Sequence, residues 1–487
     1  MPSYSPAQAR QEFRTTLLID NVDQRGQGSA VAVINPATEE PVVQFPAASL
    51  AQVNEAVDAA KRAFECAGEW QDPAYRRLAL SRFADEIERN QDRLMETLIE
   101  EIGTPVSLKS VHINTCINLL RWSANAAVVD RTRHLGLNAG ATGLGTILYR
   151  PVGVVAAISA FNYPLFLATA KIGAALAAGC TTVLLSSPQA PLGVFLLGDL
   201  IRKAGLPRGV VNIIAGGAEI GRALTENPGV DKVTFTGSVD VGRKVMQQAA
   251  SGLKSVVLEL GGKSAAIMLP KVDFKKYAFS LHARYARHAG QGCGSPTRIL
   301  IEECRFDEFV QISRDVYPQL KVGDPRDPST VLGPVISSAQ RDRIEQTVNR
   351  AIADGAKIIA GGGRPDRKKG WFLNPVLLGC LDNQASIARS EIFGPVCVVL
   401  TYRTVEEAVA IANDSELGLK AYVFGSRKEC LELVPKLRVG TIQINGGSPN
   451  RPDGAIVGYK KSGVGAEWGE DGLREFLRPQ YIDIALD

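Results

Sequence analysis

Between Val152 and Leu260 a short apolar run recurs roughly every 25 residues, with amphipathic helical patterns filling the spaces between. The runs are Val154 to Ser159, Thr181 to Leu185, Val210 to Ile214, Lys232 to Phe235 and Val256 to Leu260. A strand that is apolar on both faces has to be covered on both, and helices that return the chain to the same end make such strands parallel. Helices are expected over Leu165 to Ala178, over Leu192 to Ala204, near Ile220 and over Val239 to Ala250. The pattern is a doubly covered parallel sheet, in which ligands sit beyond the carboxyl ends of the strands.

A second alternating series follows Ala265. Strands are expected at Ala265 to Leu269, Arg298 to Ile301, Lys357 to Ala360, Val396 to Thr401 and Ala421 to Phe424, with helices at Phe306 to Tyr317, Ser338 to Asp354 and Val405 to Asn413. A chain of 487 residues has room for more than one core. The fold class is therefore α/β, with a Rossmann-type cofactor domain, a second α/β domain, and a bend between them near Gly261-Gly262. The bend puts the boundary between the two series in a cleft, where binding sites tend to form.

Before Val152 the chain opens with strand-like runs at Thr16 to Ile19, Ala30 to Ile34 and Pro41 to Phe45. It then turns helical from Ser49 to about Ala127, where Ser49 and Gln52 have the spacing of a capping box. Arg131 to Arg150 is glycine-rich and ends in an alternating stretch, as a hairpin leaving the body of a domain would. The residues from Gln480 to Leu486 alternate again and are suited to pair with that hairpin or with a neighbouring subunit.

Lys+Arg 55 against Asp+Glu 51 gives a formal charge of only +4, with no basic run, so nucleic acid is not an expected partner. No apolar stretch is long enough to span a membrane, and the first residues carry no apolar leader core. Eight cysteines are scattered without a CxxC pair or a cysteine–histidine ligand spacing, so neither a disulfide framework nor a metal site is expected. A reducing, cytoplasmic location follows as an expectation.

Four stretches carry chemistry. In Gly290-Gln291-Gly292-Cys293-Gly294-Ser295 a cysteine lies between two glycines, which leaves its sulfur uncovered, and its polar neighbours with Arg298 nearby suit a reactive thiol. A turn that happens to contain cysteine is the plain alternative; His288 is close in sequence, which keeps a cysteine–histidine hydrolase open. Phe235 to Gly242 follows a strand and opens a helix, a place where freed N–H groups face a pyrophosphate. Its spacing is Gly-x4-Gly, not GxGxxG, and Ser238 would serve equally as an ordinary N-cap. Glu259 ends an apolar strand, where burial raises a carboxyl pKa toward the range of a general base, unless Lys263 pairs with it. Asn162 sits just past a strand, where its amide can donate to an oxyanion or simply shape a turn.

Taken together, Asn162, Gly237 to Gly242, Glu259-Leu260-Gly261-Gly262-Lys263, Gly290-Gln291-Gly292-Cys293 and Glu391-Ile392-Phe393-Gly394-Pro395 resemble the aldehyde dehydrogenase superfamily in identity, order and separation. The resemblance extends from Asn35-Pro36-Ala37-Thr38 to Gly458-Tyr459-Lys460-Lys461-Ser462-Gly463, nearly the whole chain. It implies an NAD(P)-dependent, non-acylating oxidation of an aldehyde to its acid. Cys293 would attack the carbonyl carbon, Asn162 and the Cys293 backbone N–H would hold the oxyanion, and Glu259 would activate the water that hydrolyses the resulting thioester. Lys171 and Glu467 match positions proposed to relay protons from that base. The resemblance further implies cofactor contacts at Ser159, Phe161, Gly237, Ser238, Gly242 and Leu260, with Glu391 on the nicotinamide ribose and Phe393 packed beside it. Residues 1–130 and 151–260 would form the dinucleotide-binding domain, 261–455 the catalytic domain, and 131–150 with 478–487 the elements that join subunits into a homodimer or homotetramer.

Departures from the family pattern bear on the cofactor and the substrate. Where the family has a lysine and often a glutamate near the adenosine ribose, this chain has Leu185-Ser186-Ser187-Pro188. No cation stands there for a 2′-phosphate, which favours NAD while leaving NADP possible. The usual Pro-Phe-Gly-Gly appears as Ala455-Ile456-Val457-Gly458, and with Tyr163, Phe166 and Leu167 it suggests an apolar tunnel for an aromatic, terpenoid or medium-chain aldehyde. A coenzyme A-acylating relative and a catalytically idle family member remain as alternatives; the presence of Glu259 weighs against the first and the intact Cys293, Glu259 and Asn162 against the second.

Overall fold

The structure is a computed structural model and describes residues 13–66, 68–135, 143–447 and 451–485. The first strand–helix series forms one sheet. Its five parallel strands lie in the order Val211–Ala215, Thr181–Ser186, Val154–Ile158, Lys232–Thr236 and Ser255–Glu259. The order runs backward through the chain as far as Val154–Ile158 and then jumps to Lys232–Thr236, so the sequence direction reverses beside Val154–Ile158. Helices leave toward opposite faces on either side of such a point, and a crevice opens there. Leu17–Ile19 and Val22–Gln24 extend one edge antiparallel, and Gly463–Val464 closes the other against Ser255–Glu259. Helices Pro164–Ala178 and Leu192–Lys203 are buried along most of their lengths, which explains their nearly unbroken apolar sequences.

The second series forms a seven-stranded sheet in the order Lys357–Gly361, Val376–Gly379, Val396–Tyr402, Pro296–Glu302, Ser264–Met268, Lys420–Phe424 and Thr441–Ile444. All neighbours are parallel except the first pair. Two of its strands, Val376–Gly379 and Thr441–Ile444, have no counterpart in the sequence-based expectation. Helix Val405–Asn413 has the expected bounds, and Ser49 and Gln52 do form a capping box at the start of Leu50–Glu65.

The expected hairpin is a strand pair, Arg133–Leu135 against Gly143–Pro151, and Leu477–Ala485 pairs antiparallel along the whole of the second strand. The tail thus joins the hairpin within one chain. The expected hairpin tip at 136–142, residues 1–12 of the first expected domain, and residues 486–487 of the tail lie outside the described residues. Among the described residues no helix is long and apolar enough to cross a membrane.

Candidate active site

One cavity of about 1210 Å³ lies between the two sheets. Its walls include the carboxyl ends of first-sheet strands at Phe235-Thr236-Gly237 and Glu259-Leu260-Gly261. They also include the amino ends of second-sheet strands at Ser295, Lys420 and Thr441, with the Cys293 loop between. The crevice beside Val154–Ile158 therefore opens directly onto the thiol.

The loop that presents Cys293 is tightly constrained. Helix Phe274–Ala286 ends at Arg287, and His288, Ala289 and Gly290 then take three successive positive φ angles of 54°, 52° and 71°. Left-handed backbone at two non-glycine residues costs roughly 1–2 kcal/mol each, so the surroundings must hold it. They do so by hydrogen bonds. His288 Nε2 meets the Asn162 carbonyl at 2.6 Å, the Asn162 amide donates to the Gln291 carbonyl at 2.8 Å, and the Ile336 N–H donates to Gln291 Oε1 at 3.0 Å. Tyr422 Oη donates to the Gly294 carbonyl at 2.7 Å. A Cβ on Gly290 would come 2.1 Å from the Gly394 backbone, and one on Gly262 would come 2.5 Å from the Cys293 carbonyl; only glycine fits at either place.

Cys293 is half-buried, and its thiol is pushed up to about 11, chiefly by burial, with Lys420 lowering it and Glu259 and Glu391 raising it. At neutral pH the resting sulfur is therefore protonated and needs a proton acceptor. The cation at hand differs from the one read in the sequence. Arg298 is buried and turned away, donating to the carbonyls of Lys263, Ile411 and Ala412 and to Asn383 Oδ1. Cys293 sits in a turn before strand Pro296–Glu302, and Arg298 lies inside that strand with its donors spent on carbonyls, so closeness in sequence put the wrong cation beside the thiol. Nor does His288 address the sulfur: its Nε2 is engaged by Asn162, and burial pushes the ring down to about 4.

Glu259 ends its strand with one carboxylate oxygen, Oε1, buried and without a hydrogen-bond partner. Its pKa is raised well above the usual carboxylate range, first by burial and then by Glu467, while Lys171 and Lys420 oppose the rise. Lys263 forms no ion pair with it; the Lys263 amine is itself buried without a partner and pushed down to about 7 by burial. Lys171 pairs with Glu467, and Thr234 bonds both, 3.1 Å to the Lys171 amine and 3.2 Å to the Glu467 carboxylate. The sequence-selected Lys171 and Glu467 thus stand as a buried pair that acts electrostatically on Glu259.

Toward the first sheet, Ser238 caps helix Val239–Ala250 by accepting from the Val241 N–H, so the plain N-cap reading holds. Gly242 packs on Leu260, where a Cβ would come 2.5 Å from a methyl group. Glu391 accepts from the Gly262 N–H at 3.1 Å, and a Cβ on Gly261 would come 2.2 Å from its other oxygen. Phe393, at φ 57°, meets Phe161 edge to face with ring centroids 5.9 Å apart. Ser159 is buried and its N–H bonds the Leu185 carbonyl. Phe161, Gly237, Ser238, Leu260, Glu391 and Phe393 all line the cavity. A helix N-terminus facing a crevice at the reversal of strand order, with glycines at the close approaches, fits a dinucleotide. Gln189, which also lines the cavity, was not selected from the sequence because an exposed polar residue in a loop has no signature.

The chain belongs to the aldehyde dehydrogenase family, whose family model matches residues 22–482. It is 36% identical over 465 residues to a Staphylococcus aureus (strain MSSA476) protein provisionally named an aldehyde dehydrogenase, covering 94% of this chain and 96% of that one. A cysteine-to-alanine variant of aldehyde dehydrogenase C from Pseudomonas syringae, crystallised with NAD+ and octanal, superimposes with a TM-score of 0.92 at 34% identity, covering 96% of both chains. A betaine aldehyde dehydrogenase from Staphylococcus aureus in complex with NAD+ gives 0.94 at 32% identity, covering 97% of this chain and 95% of that one.

Proposed function

We propose that this enzyme oxidises an aldehyde to the carboxylic acid with NAD, using Cys293 as nucleophile and Glu259 as base. The observation that carries the reading is the meeting of a half-buried thiol, a buried carboxylate with a free oxygen and the Asn162 amide around one cavity at the strand-order reversal. One N–H of Asn162 is engaged by the Gln291 carbonyl, which fixes the amide plane and leaves the second N–H for an oxyanion. Cys293 attacks the carbonyl carbon and its proton passes to a base; Glu259 is the carboxylate in electrostatic reach. When bound along Phe161, Gly237, Ser238, Leu260, Glu391 and Phe393, NAD supplies the hydride acceptor that turns the adduct into a thioester. Glu259 then takes a proton from water, which attacks the thioester and frees the acid, and the Lys171–Glu467 pair biases that proton.

The fold supports assigning residues 1–130 and 151–260 to cofactor binding and 261–455 to the nucleophile. NAD is favoured over NADP because Leu185 is buried and the Ser186 hydroxyl bonds the Ala190 carbonyl, which leaves neither to meet a 2′-phosphate. Tyr163, Phe166, Leu167, Ile456 and Trp468 line the cavity and favour an apolar body on the substrate, aromatic or medium-chain. The ribbon of Gly143–Pro151 and Leu477–Ala485 exposes Leu144, Tyr481 and Ile484, which suits a homodimer or homotetramer.

The test is formation of reduced nicotinamide, followed by absorbance, over aliphatic, aromatic and carboxylated aldehydes with NAD and with NADP, without coenzyme A. Activity with NAD that vanishes in Cys293→Ser is the expected result. A requirement for coenzyme A, or activity that survives the substitution, would overturn the assignment.

A further inference from the structure

The cavity has two linings, one aromatic and one cationic, and the apolar reading uses only the first. Tyr163, Phe166 and Trp468 form one aromatic patch, with ring centroids 5.1 Å apart for the first pair and 5.9 Å for the second. Beside Cys293 the lining is cationic: Lys420, Arg284 and Arg287. Lys420 opens its strand so that a Cβ on Gly294 would come 3.4 Å from its Cε and 3.5 Å from its Nζ. Its ammonium therefore lies against the residue that follows the nucleophile. Arg284 lies over the Tyr422 ring, 5.5 Å from the centroid, and donates to Gln443 Oε1 at 3.0 Å. The same Tyr422 holds the Gly294 carbonyl.

None of these three cations has a carboxylate partner in hydrogen-bond reach among the described residues. Two other buried lysines are answered by a glutamate, Lys171 by Glu467 and Lys232 by Glu475, whereas the buried Lys263 amine has no partner. Here the cations act on one another. Burial lowers the Lys420 ammonium first, and Arg284 and Arg287 lower it further, against the opposing influence of Cys293 and Glu259. Gathered positive charge at the wall of a cavity, with donors left over, matches an anion that is absent from the free protein. Ammonium and guanidinium donors together suit the planar oxygens of a carboxylate.

We propose that Lys420 and Arg287, with Arg284 behind them, form a carboxylate subsite, so that the preferred substrate is an aldehyde bearing a carboxylate within a few bonds of its carbonyl carbon. This rests on aldehyde oxidation at Cys293 and adds the charge of the substrate to it. The distance is set by Lys420: an anion that reaches its ammonium is held next to the sulfur, so it belongs to the molecule whose carbonyl the sulfur attacks. A quaternary ammonium aldehyde, the opposite case, is disfavoured by the same three charges.

Alkylation of Cys293 reads the subsite without cofactor or turnover. With both iodoacetate and iodoacetamide the thiolate displaces iodide from carbon, so that the sulfur–carbon bond forms as the carbon–iodine bond breaks and iodide leaves to solvent; they differ in that the first carries a carboxylate. The rate ratio of iodoacetate to iodoacetamide at the Cys293 peptide, normalised to the same ratio for glutathione, is expected to be roughly ten-fold or more above unity at low salt. It should fall with added salt in the unaltered protein, and fall toward unity in Lys420→Met and, less far, in Arg287→Met. A ratio near unity in the unaltered protein overturns the proposal. So does a Lys420→Met variant that slows both reagents equally, because the lysine would then serve the thiolate alone. Matched turnover of short oxo-acids and neutral aldehydes of equal length forms the second arm, with kcat/KM expected to favour the oxo-acid in the parent and to lose that preference in Lys420→Met. Equal or greater efficiency with the neutral aldehyde overturns the substrate assignment. A raised alkylation ratio in a protein that oxidises no aldehyde removes the proposed function and leaves the anion site standing.

Discussion

Glu259 and Glu101 are both buried carboxyls with raised pKa values, and they do opposite work. Glu101, in helix Gln91–Ile102, accepts from the Leu192 N–H at 2.7 Å and the Gly193 N–H at 3.0 Å. It thereby caps helix Leu192–Lys203, whose own N-cap residue, Pro191, makes no side-chain cap. Burial holds its pKa at about 8, although those N–H groups pull it down. Glu259 is also buried but faces the cavity with an oxygen that nothing satisfies. Burial alone therefore does not mark a catalytic base. What separates the two is whether the carboxylate's acceptors are already filled.

The largest test of this contrast is Glu259→Gln, which keeps shape and removes the base. Steady-state kcat is expected to fall by roughly 10²–10⁴ with the melting temperature little changed, as loss of a general base would give. Comparable activity in the variant would erase the distinction. Next in size is Lys171→Met, which leaves Glu467 buried without its cation. Unfolding free energy should drop by about 3–5 kcal/mol in denaturant titration. With Lys171 no longer lowering the Glu259 carboxyl, the limb of the pH–rate profile that reports it should move to higher pH. A profile that stays in place would separate the pair from the base.

Glu101→Gln is the mirror experiment. It should cost about 1–3 kcal/mol of stability, because one helix N–H loses its acceptor, while kcat with the best aldehyde stays within about two-fold. The finest effect is in the pH dependence of that stability. The native Glu101 carboxyl holds its proton up to about 8, whereas an unfolded glutamate releases it near 4.3. Between those values the native state binds more protons, so the contribution of Glu101 to stability is full below the lower value and is lost as pH rises through about 8. The variant's stability should fall less steeply across that window; an identical slope would mean that Glu101 does not titrate there.

Much of this arrangement was legible in the chain. The long apolar runs announced both parallel sheets, because a strand buried on both faces leaves an unmistakable sequence. Val376–Gly379 and Thr441–Ile444 were missed: each has only four residues and follows a proline or glycine, which reads as loop. Cys293, Glu259 and Asn162 stand out because each breaks a local rule, a cysteine among glycines or a carboxylate ending an apolar strand. Their convergence on one cavity needed the fold. Lys171 and Glu467 were picked through the family resemblance; Lys171 does break a local pattern, as the one charged residue in the apolar helix Pro164–Ala178, whereas Glu467 breaks none. The cation beside the thiol was misread as Arg298 because Lys420 comes from a distant strand, and a lysine opening a strand carries no sign of what it will face. Glu101 was invisible for the same reason: at the end of an amphipathic helix it resembles any exposed glutamate until Leu192 and Gly193 arrive over it.

The most direct test of the central claim, that Glu259 is the base that clears a thioester from Cys293, is mass spectrometry of the Glu259→Gln variant quenched after one turnover with NAD and an aldehyde. The account predicts one equivalent of reduced cofactor, formed more slowly than in the parent because the thiol loses its acceptor too, and the acyl group retained on the Cys293 peptide, with little of that adduct in the parent enzyme at steady state. Release of free acid by the variant at the parent's rate, or an acyl group found on any other residue, would contradict it.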